Sequence, residues 1–343
     1  MRTILMAEDY EPRAQVITPE HIPQRAKFTA IDAHNHVPDH PLKTGMDLSK
    51  IVPEMDLLDL QTIVNLTGGT GDVLKRTLEK VDLAYPGRFI TFCNVDWIGV
   101  GEPGWIDKAT RQLEADIRAG ARGLKIFKQL GLVVHDTAGK LVLPNDPRIA
   151  DLWDKAGELG VPVLIHSADP LAFFRPLDRV NERWTELHDH PDWLFYGPKF
   201  PSFQELIDAL YQTMEEHPKT TFITAHAGCY AENLGYVSKM LDAHPNMLTD
   251  FSARIAELGR APYSARKWFI KYADRILFGT DEPPTLPMYR TYFRFLETAD
   301  EYFDYDPENA HPQGDWKIYG VHLPDDVLHK IYYENAARLL KLA

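Results

Sequence analysis

The stretch FTAIDAHNH, residues 28–36, begins as a β-rich run and ends in two histidines two positions apart. Alternate side chains of an extended strand share a face, so His34 and His36 can converge on one point at the end of that strand. Seven further runs of the same kind follow: QTIVNLT from Gln61, RFITFCNV from Arg88, ARGLKIF from Ala121, VPVLIHS from Val161, TTFITAH from Thr220, NMLTDFS from Asn246 and RILFGTD from Arg275. Amphipathic stretches separate them, and helix-start signals stand between them. Asp146 with Pro147 precedes RIADLWDKAGELG, and Ser202 with Glu205 forms a capping box before LIDALYQTMEEH. Strands alternating with helices build parallel βα units. Eight such units predict an α/β fold, a (β/α)8 TIM barrel, whose last helix opens at Pro324 in PDDVLHKIYYENAARLLKL.

A chain of 343 residues fits one barrel domain of this kind. The organisation expected is an N-terminal arm, 1–27, and one domain, 28–343, with long loops after strand 5 (167–201) and strand 8 (282–322). Both would lie at the C-terminal face of the barrel, where long loops become lids and pocket walls. Apolar residues at 44% supply a large core and argue against disorder. Lys and Arg number 37 against 50 Asp and Glu, a net charge of −13, and no basic run stands out, which argues against a nucleic-acid partner. Cys93 and Cys229 are the only cysteines, each beside a strand-like run, so neither a disulfide framework nor a thiolate zinc site is expected. No run has the make-up of a signal peptide or the length of a membrane span, so a cytoplasmic protein acting on a small molecule is expected, with homo-oligomerisation left open.

The ionisable residues cluster at the strand ends: His34 and His36 on strand 1, His166 on strand 5, His226 on strand 6 and Asp281 on strand 8. Imidazole and carboxylate are ligands that borderline divalent ions favour, zinc first, with manganese or iron also suited. A lone strand histidine is usually a core residue, but five such groups at one mouth point to a metal. His40 and His135 lie in connections and read as solvated loop histidines. GGTG from Gly68 reads as a turn opening a helix, capped by Asp72, and not as a phosphate cradle. Arg254, after strand 7, is either a clamp for a substrate carboxylate or the partner of Asp250 or Glu257. Asn35 and Asp96 sit at the ends of strands 1 and 3 as candidate substrate contacts, and Asp96 also as a candidate partner for a ligating histidine. Phe173, Phe174, Trp184 and Trp193 either wall the pocket or pack the lid.

The ordered set of HxH in DAHNH, the His of VLIHSAD, the His of ITAHAG, the Asp of LFGTDEP and the closing NAARLL resembles the amidohydrolase superfamily. The resemblance is to its amidohydrolase-related branch, which includes decarboxylases similar to aminocarboxymuconate semialdehyde decarboxylase and several lactonases. It implies one divalent metal held by His34, His36, His166 and Asp281, with His226 as the catalytic imidazole and Asp281 accepting a proton from the attacking water. In binuclear members of the superfamily a strand 4 lysine bridges two ions. Lys125 stands there, either in that role, as a substrate contact or paired with an acid, and Lys128 is a weaker candidate. The reading placed first is a hydrolase attacking a lactone, ester or amide carbonyl. The alternative is a non-oxidative decarboxylase of a small unsaturated or aromatic acid. A decarboxylase needs a cation and an apolar slot, which Arg254 and the segment from Phe173 to Trp193 offer. A sugar-lactone hydrolase needs polar groups to read hydroxyls, for which Asn35, Asp96, Lys125 and Asn181 are candidates. A catalytically silent metal-binding barrel would lack one of the five strand-end residues, and none is missing.

Overall fold

The computed structural model describes residues 15–40, 43–308 and 312–342. Its eight strands are β1 (Ala30–Asn35), β2 (Leu60–Asn65), β3 (Phe89–Thr91), β4 (Leu124–Ile126), β5 (Val163–Ile165), β6 (Phe222–Thr224), β7 (Met247–Asp250) and β8 (Ile276–Leu277). Every pairing is parallel and follows chain order, β1 to β3 in one sheet and β4 to β8 in a second. Two seams join the sheets into a barrel. Past the end of β3, the Cys93 N–H donates to the Gly123 carbonyl at 2.9 Å, and the Lys125 N–H donates to the Cys93 carbonyl at 2.8 Å. On the other side, the Ala33 N–H donates to the Phe278 carbonyl and the Asp281 N–H to the His34 carbonyl, both at 2.8 Å. Gly279 permits the second seam, because a Cβ there would stand 2.9 Å from the His34 Cβ.

One buried cluster takes residues from six strands, Ile31, Val64, Ile90, Leu164, Ile223 and Leu277, and continues into Ala336, Ala337 and Leu340 of the last helix. The β4 residue in register with Leu164 is Lys125, an amine at a position where the neighbouring strands place aliphatic groups. The larger cluster packs the barrel against its helices, among them Trp105–Ala119, Phe203–Glu216 and Pro262–Lys271. Burial of this apolar surface drives the fold.

Local signals explain most helix starts. Asp146 accepts from the Arg148 N–H ahead of the helix Ala150–Glu158, and both bonds of the Ser202–Glu205 capping box are present. The turn after Gly68 does open a helix, but Asp72 does not cap it. Gly71 occupies the cap position, and its N–H is taken by the buried carboxylate of Asp116, which also binds Thr70. Asp72 is the first helical residue and pairs with Lys75 on the surface. The segment 282–322 is not loop throughout: Leu286–Glu297 is a helix capped by Thr285, and its buried face carries Tyr289, Tyr292, Phe293 and Phe295. The aromatic content of that segment belongs largely to barrel packing.

The last helix contains a π-turn at Lys330–Glu334, and the Ile331 carbonyl accepts the Phe278 N–H. A turn later, Asn335 donates to the carbonyls of Ala273 and Ile276 at 2.7 Å each. A two-residue β8 is thus held from behind by the NAARLL motif. Asn335→Ala strands two buried carbonyls, and a loss of about 2–6 kcal/mol is expected in urea unfolding, since each buried orphan costs roughly 1–3 kcal/mol.

Candidate metal centre and cavity

The histidine rings are fixed by what each Nδ1 touches. His34 Nδ1 lies 2.8 Å from Asp250 Oδ2, so it carries the proton and leaves the Nε2 lone pair free. His36 Nδ1 meets the Thr67 hydroxyl at 2.6 Å, and His226 Nδ1 meets the Ser252 carbonyl at 2.8 Å, which likewise places the His226 proton on Nδ1. The three Nε2 atoms then surround Asp281: His36 at 3.1 Å and His34 at 3.7 Å from Oδ1, and His226 at 3.6 Å from Oδ2. One ligand atom each from His34, His36 and Asp281 lies within 4.8 Å of the others, the compactness a single ion requires. His166 joins through His226, its Nδ1 lying 3.3 Å from His226 Nε2. His166 Nε2 is buried without a hydrogen bond among the described residues, with Asp169 Oδ1 3.3 Å away. A buried imidazole nitrogen without a hydrogen bond, on a ring that neighbours His226 and has Asp169 3.3 Å away, fits a cation bound at this mouth, although His166 stands outside the compact group of His34, His36 and Asp281.

The backbone is bent to build this arrangement. His226, Ala227, Gly228 and Cys229 all have positive φ, a left-handed turn directly after β6, and Asp281 has φ of 53°. Such conformations cost roughly 1–2 kcal/mol per non-glycine residue and persist where the surroundings enforce them. Asp250 supplies much of that enforcement, since its Oδ1 accepts the N–H groups of His226 and Ser252 and the Ser252 hydroxyl, while Oδ2 orients His34. From the sequence, Asp250 stands out only as a candidate partner for Arg254. Its position at the end of β7, like that of Asp281 after β8, is the signal that marks it.

Asp32 acts in a different way. It is fully buried and bonded to Tyr289, to the Thr280 hydroxyl and N–H, and to Asn35, so it locks β1 to the β8 end and does not face the site. Asn35 is likewise turned away. Its amide donates to Asp32, Thr280 and the Glu282 carbonyl, its oxygen accepts the His36 N–H, and it does not line the cavity, so the expectation of a substrate contact is corrected. Asp96 is also displaced, being exposed, bound to the Ile98 N–H, and on a separate small pocket with Trp105 and Lys108. The loop after β3 carries it away from the barrel axis. His40, read as solvated, is 3% exposed, and its Nε2 lies 3.2 Å from the Asp281 carbonyl. His135 is exposed.

Lys125 does reach the centre, with Nζ 3.4 Å from His34 Nε2, and burial pushes its ammonium down to about 8. Lys128 is tied to Asp169 and lies over the rings of Trp193 and Phe195. Arg254 is 7% exposed and forms no ion pair among the described residues. Both partners considered for it are taken, Asp250 by His34, and Glu257 by Arg183, which also holds Glu186. These groups line a cavity of about 330 Å³ with Phe127, Phe173 and Trp193, of which the last two stack at 22°. Phe174 packs on Phe195 and Phe203 inside the lid, and Trp184 is on the surface against His188. Asn181 donates to the carbonyls of Ala172 and Pro176 and shapes the lid.

Burial holds His36 and His166 near 4, well below an ordinary imidazole. Burial works against Asp281 and Asp250 too, but their histidine neighbours outweigh it and keep both carboxyls ionised. The metal-free folded protein therefore binds fewer protons than the unfolded chain at these two histidines. The stability these two histidines contribute should be level between about pH 6.5 and 8 and decline as the pH falls from 6.5 towards 4, because only the unfolded chain gains the protons; above 8 the depressed Lys125 ammonium adds stability as the pH rises. Urea titrations of chelator-treated protein across that window check this. Stability rising on acidification would contradict it.

The amidohydrolase family profile matches residues 31–342. The chain belongs to the amidohydrolase family, whose members are enzymes that use a divalent metal. Among solved structures it is similar to a 2,6-dihydroxybenzoate decarboxylase from Rhizobium, with 18% identity, 93% of this chain and 99% of that chain covered, and a TM-score of 0.58. A dihydroxybenzoic acid decarboxylase from Polaromonas, with bound manganese and the inhibitor 2-nitroresorcinol, shares 18% identity over 92% and 97% of the two chains, TM-score 0.57. A probable 2-pyrone-4,6-dicarboxylic acid hydrolase from Acinetobacter baumannii shares 12% over 92% and 100%, TM-score 0.52. No curated protein matches the chain. Among the described residues no helix is long and apolar enough to cross a membrane.

Proposed function

We propose that the protein is a metal-dependent carboxy-lyase that removes carbon dioxide from a small planar acid, unsaturated or aromatic, with zinc as the ion. The observation that carries this reading is the buried guanidinium of Arg254, which has no carboxylate partner among the described residues and faces a cavity walled by Phe127, Phe173 and Trp193. A planar carboxylate matches the guanidinium fork, and its ring matches the aromatic walls. Of the four groups considered for reading sugar hydroxyls, Asn35, Asp96 and Asn181 do not line that cavity and only Lys125 does, which moves the hydrolase placed first on sequence grounds to second.

His34, His36, His166 and Asp281 would hold the ion, which supplies a positive centre that polarises substrate oxygens. Arg254 holds the acid, and the aromatic walls keep its plane and exclude water. The carbon–carboxylate bond breaks, its electron pair stays on the carbon, carbon dioxide leaves, and one proton is added at that carbon. His226 Nε2, unprotonated and 3.3 Å from His166 Nδ1, and Asp281 Oδ2 at 3.6 Å are placed to carry the proton.

Hydrolysis of a lactone, ester or amide is the second reading, favoured by Asp281 as an ionised carboxylate beside His226, the pairing needed to accept a proton from water. Arg254→Met separates the two. On an acid that loses carbon dioxide, kcat/KM should fall by roughly 100-fold, as expected when a charge-assisted pair is lost. On an uncharged ester it should hardly change. An acid processed equally well by wild type and Arg254→Met would defeat the proposal.

A further inference from the structure

A second cavity of about 710 Å³ opens outside the first, between the connections that follow β5 and β8. The two adjoin, sharing Glu186, Trp193, Ala253, Glu282 and Gln313 in their walls. Their electrostatic characters differ. The inner chamber sets Lys125, Lys128, Arg183 and Arg254 beside Asp169 and Asp281, whereas the groups that line the outer one alone include the carboxylates of Asp189, Asp306 and Glu308, with Lys43 at the exposed rim. The tyrosine hydroxyls of the outer chamber already donate elsewhere, Tyr292 to the Thr280 carbonyl and Tyr305 to the Gly314 carbonyl. At the junction, Gln313 Oε1 is buried and accepts no hydrogen bond among the described residues. A buried carbonyl oxygen left without a donor is costly, so a bound molecule that supplies one is favoured. The buried Arg254 guanidinium, which bonds only the neighbouring Ala253 carbonyl among the described residues, independently calls for an anionic group in the inner chamber.

We propose that the substrate is bifunctional, with its acid head on Arg254 in the inner chamber and a tail bearing N–H or O–H donors in the outer chamber, where Gln313 Oε1 accepts from it. A second anionic group at the tail is rejected by the carboxylates there. This inference rests on the carboxylate-binding role of Arg254 given above. Its test is calorimetric binding to the zinc-loaded protein of benzoate and its 4-(2-aminoethyl), 4-(2-hydroxyethyl), 4-ethyl and 4-(carboxymethyl) derivatives.

The amine and the alcohol should bind at least about tenfold more tightly than the carboxymethyl compound, as expected from like-charge rejection. Gln313→Leu should abolish the advantage of the alcohol over the ethyl compound, and Asp306→Asn with Glu308→Gln should narrow the gap between amine and carboxymethyl. Added salt should narrow the same gap in the unaltered protein, a control that needs no variant. Carboxymethyl binding equal to amine binding, or an alcohol advantage that survives Gln313→Leu, overturns the inference. Arg254→Met tells the two levels apart. If it weakens benzoate while the tails bind indifferently, only the outer-chamber assignment fails. If it leaves benzoate binding unchanged, the carboxylate role of Arg254 fails instead, and if no compound binds, both fail.

Discussion

Replacing His34 and His36 together by alanine is expected to leave a folded barrel without its ion and to lower turnover by about 1,000-fold or more, because several kcal/mol of charge stabilisation go with the metal. The two rings place Nε2 at 3.7 and 3.1 Å from Asp281 Oδ1, so their loss leaves that carboxylate with His226 at 3.6 Å and His40 at 3.9 Å, too few imidazoles to hold an ion. His34 also donates a hydrogen bond to Asp250, and some loss of stability accompanies the change, since a buried carboxylate loses a donor. Elemental mass spectrometry of the purified variant, beside circular dichroism, separates metal loss from unfolding. Close to one equivalent of metal is expected in the wild type and almost none in the variant. Full retention would remove the HxH pair from the metal centre.

His226→Asn should keep the metal and lose turnover by about 100-fold or more, the range for a positioned acid or base. Its Nε2 is set by the Nδ1 bond to Ser252 and by a left-handed turn that the Asp250 carboxylate holds. Asparagine tolerates positive φ better than most residues, so the turn survives the substitution. Unchanged turnover would leave the proton without a carrier at that position. Loss of metal would instead place His226 among the ligands beside His34, with which it shares Asp250.

The barrel could be read from the chain because eight β-rich runs and their capping signals are local, and each run is a strand in the structure. The five strand-end residues at the centre were legible for the same reason: a position at the C-terminal end of a parallel strand fixes the face on which a side chain emerges. What was not legible depends on contacts between distant segments. Asn35 and Asp96 stand at strand ends too, yet one is consumed by Asp32 and Thr280 and the other is carried outward by its loop. His40 reads as a loop residue, and only the approach of the β8 end buries it against Asp281. Arg254 reads from the sequence as either a clamp or a partner of Asp250 or Glu257, and what separates the two is the pairing of those acids with His34 and Arg183, a contact between distant segments. The helix Leu286–Glu297 was hidden in a segment whose aromatic residues resemble a lid, although Thr285 followed by Pro287 is a helix-start signal.

The measurement that bears most directly on the proposed reaction is release of labelled carbon dioxide from carboxyl-labelled planar acids by the zinc-loaded protein, run beside acid release from a matched panel of lactones and esters. Carbon dioxide from at least one hydroxylated or unsaturated acid, abolished by chelation and strongly reduced in Arg254→Met, is the expected result. Metal-dependent opening of lactones or cleavage of esters, with no carbon dioxide from any acid, would contradict it and make hydrolysis the reaction of this site.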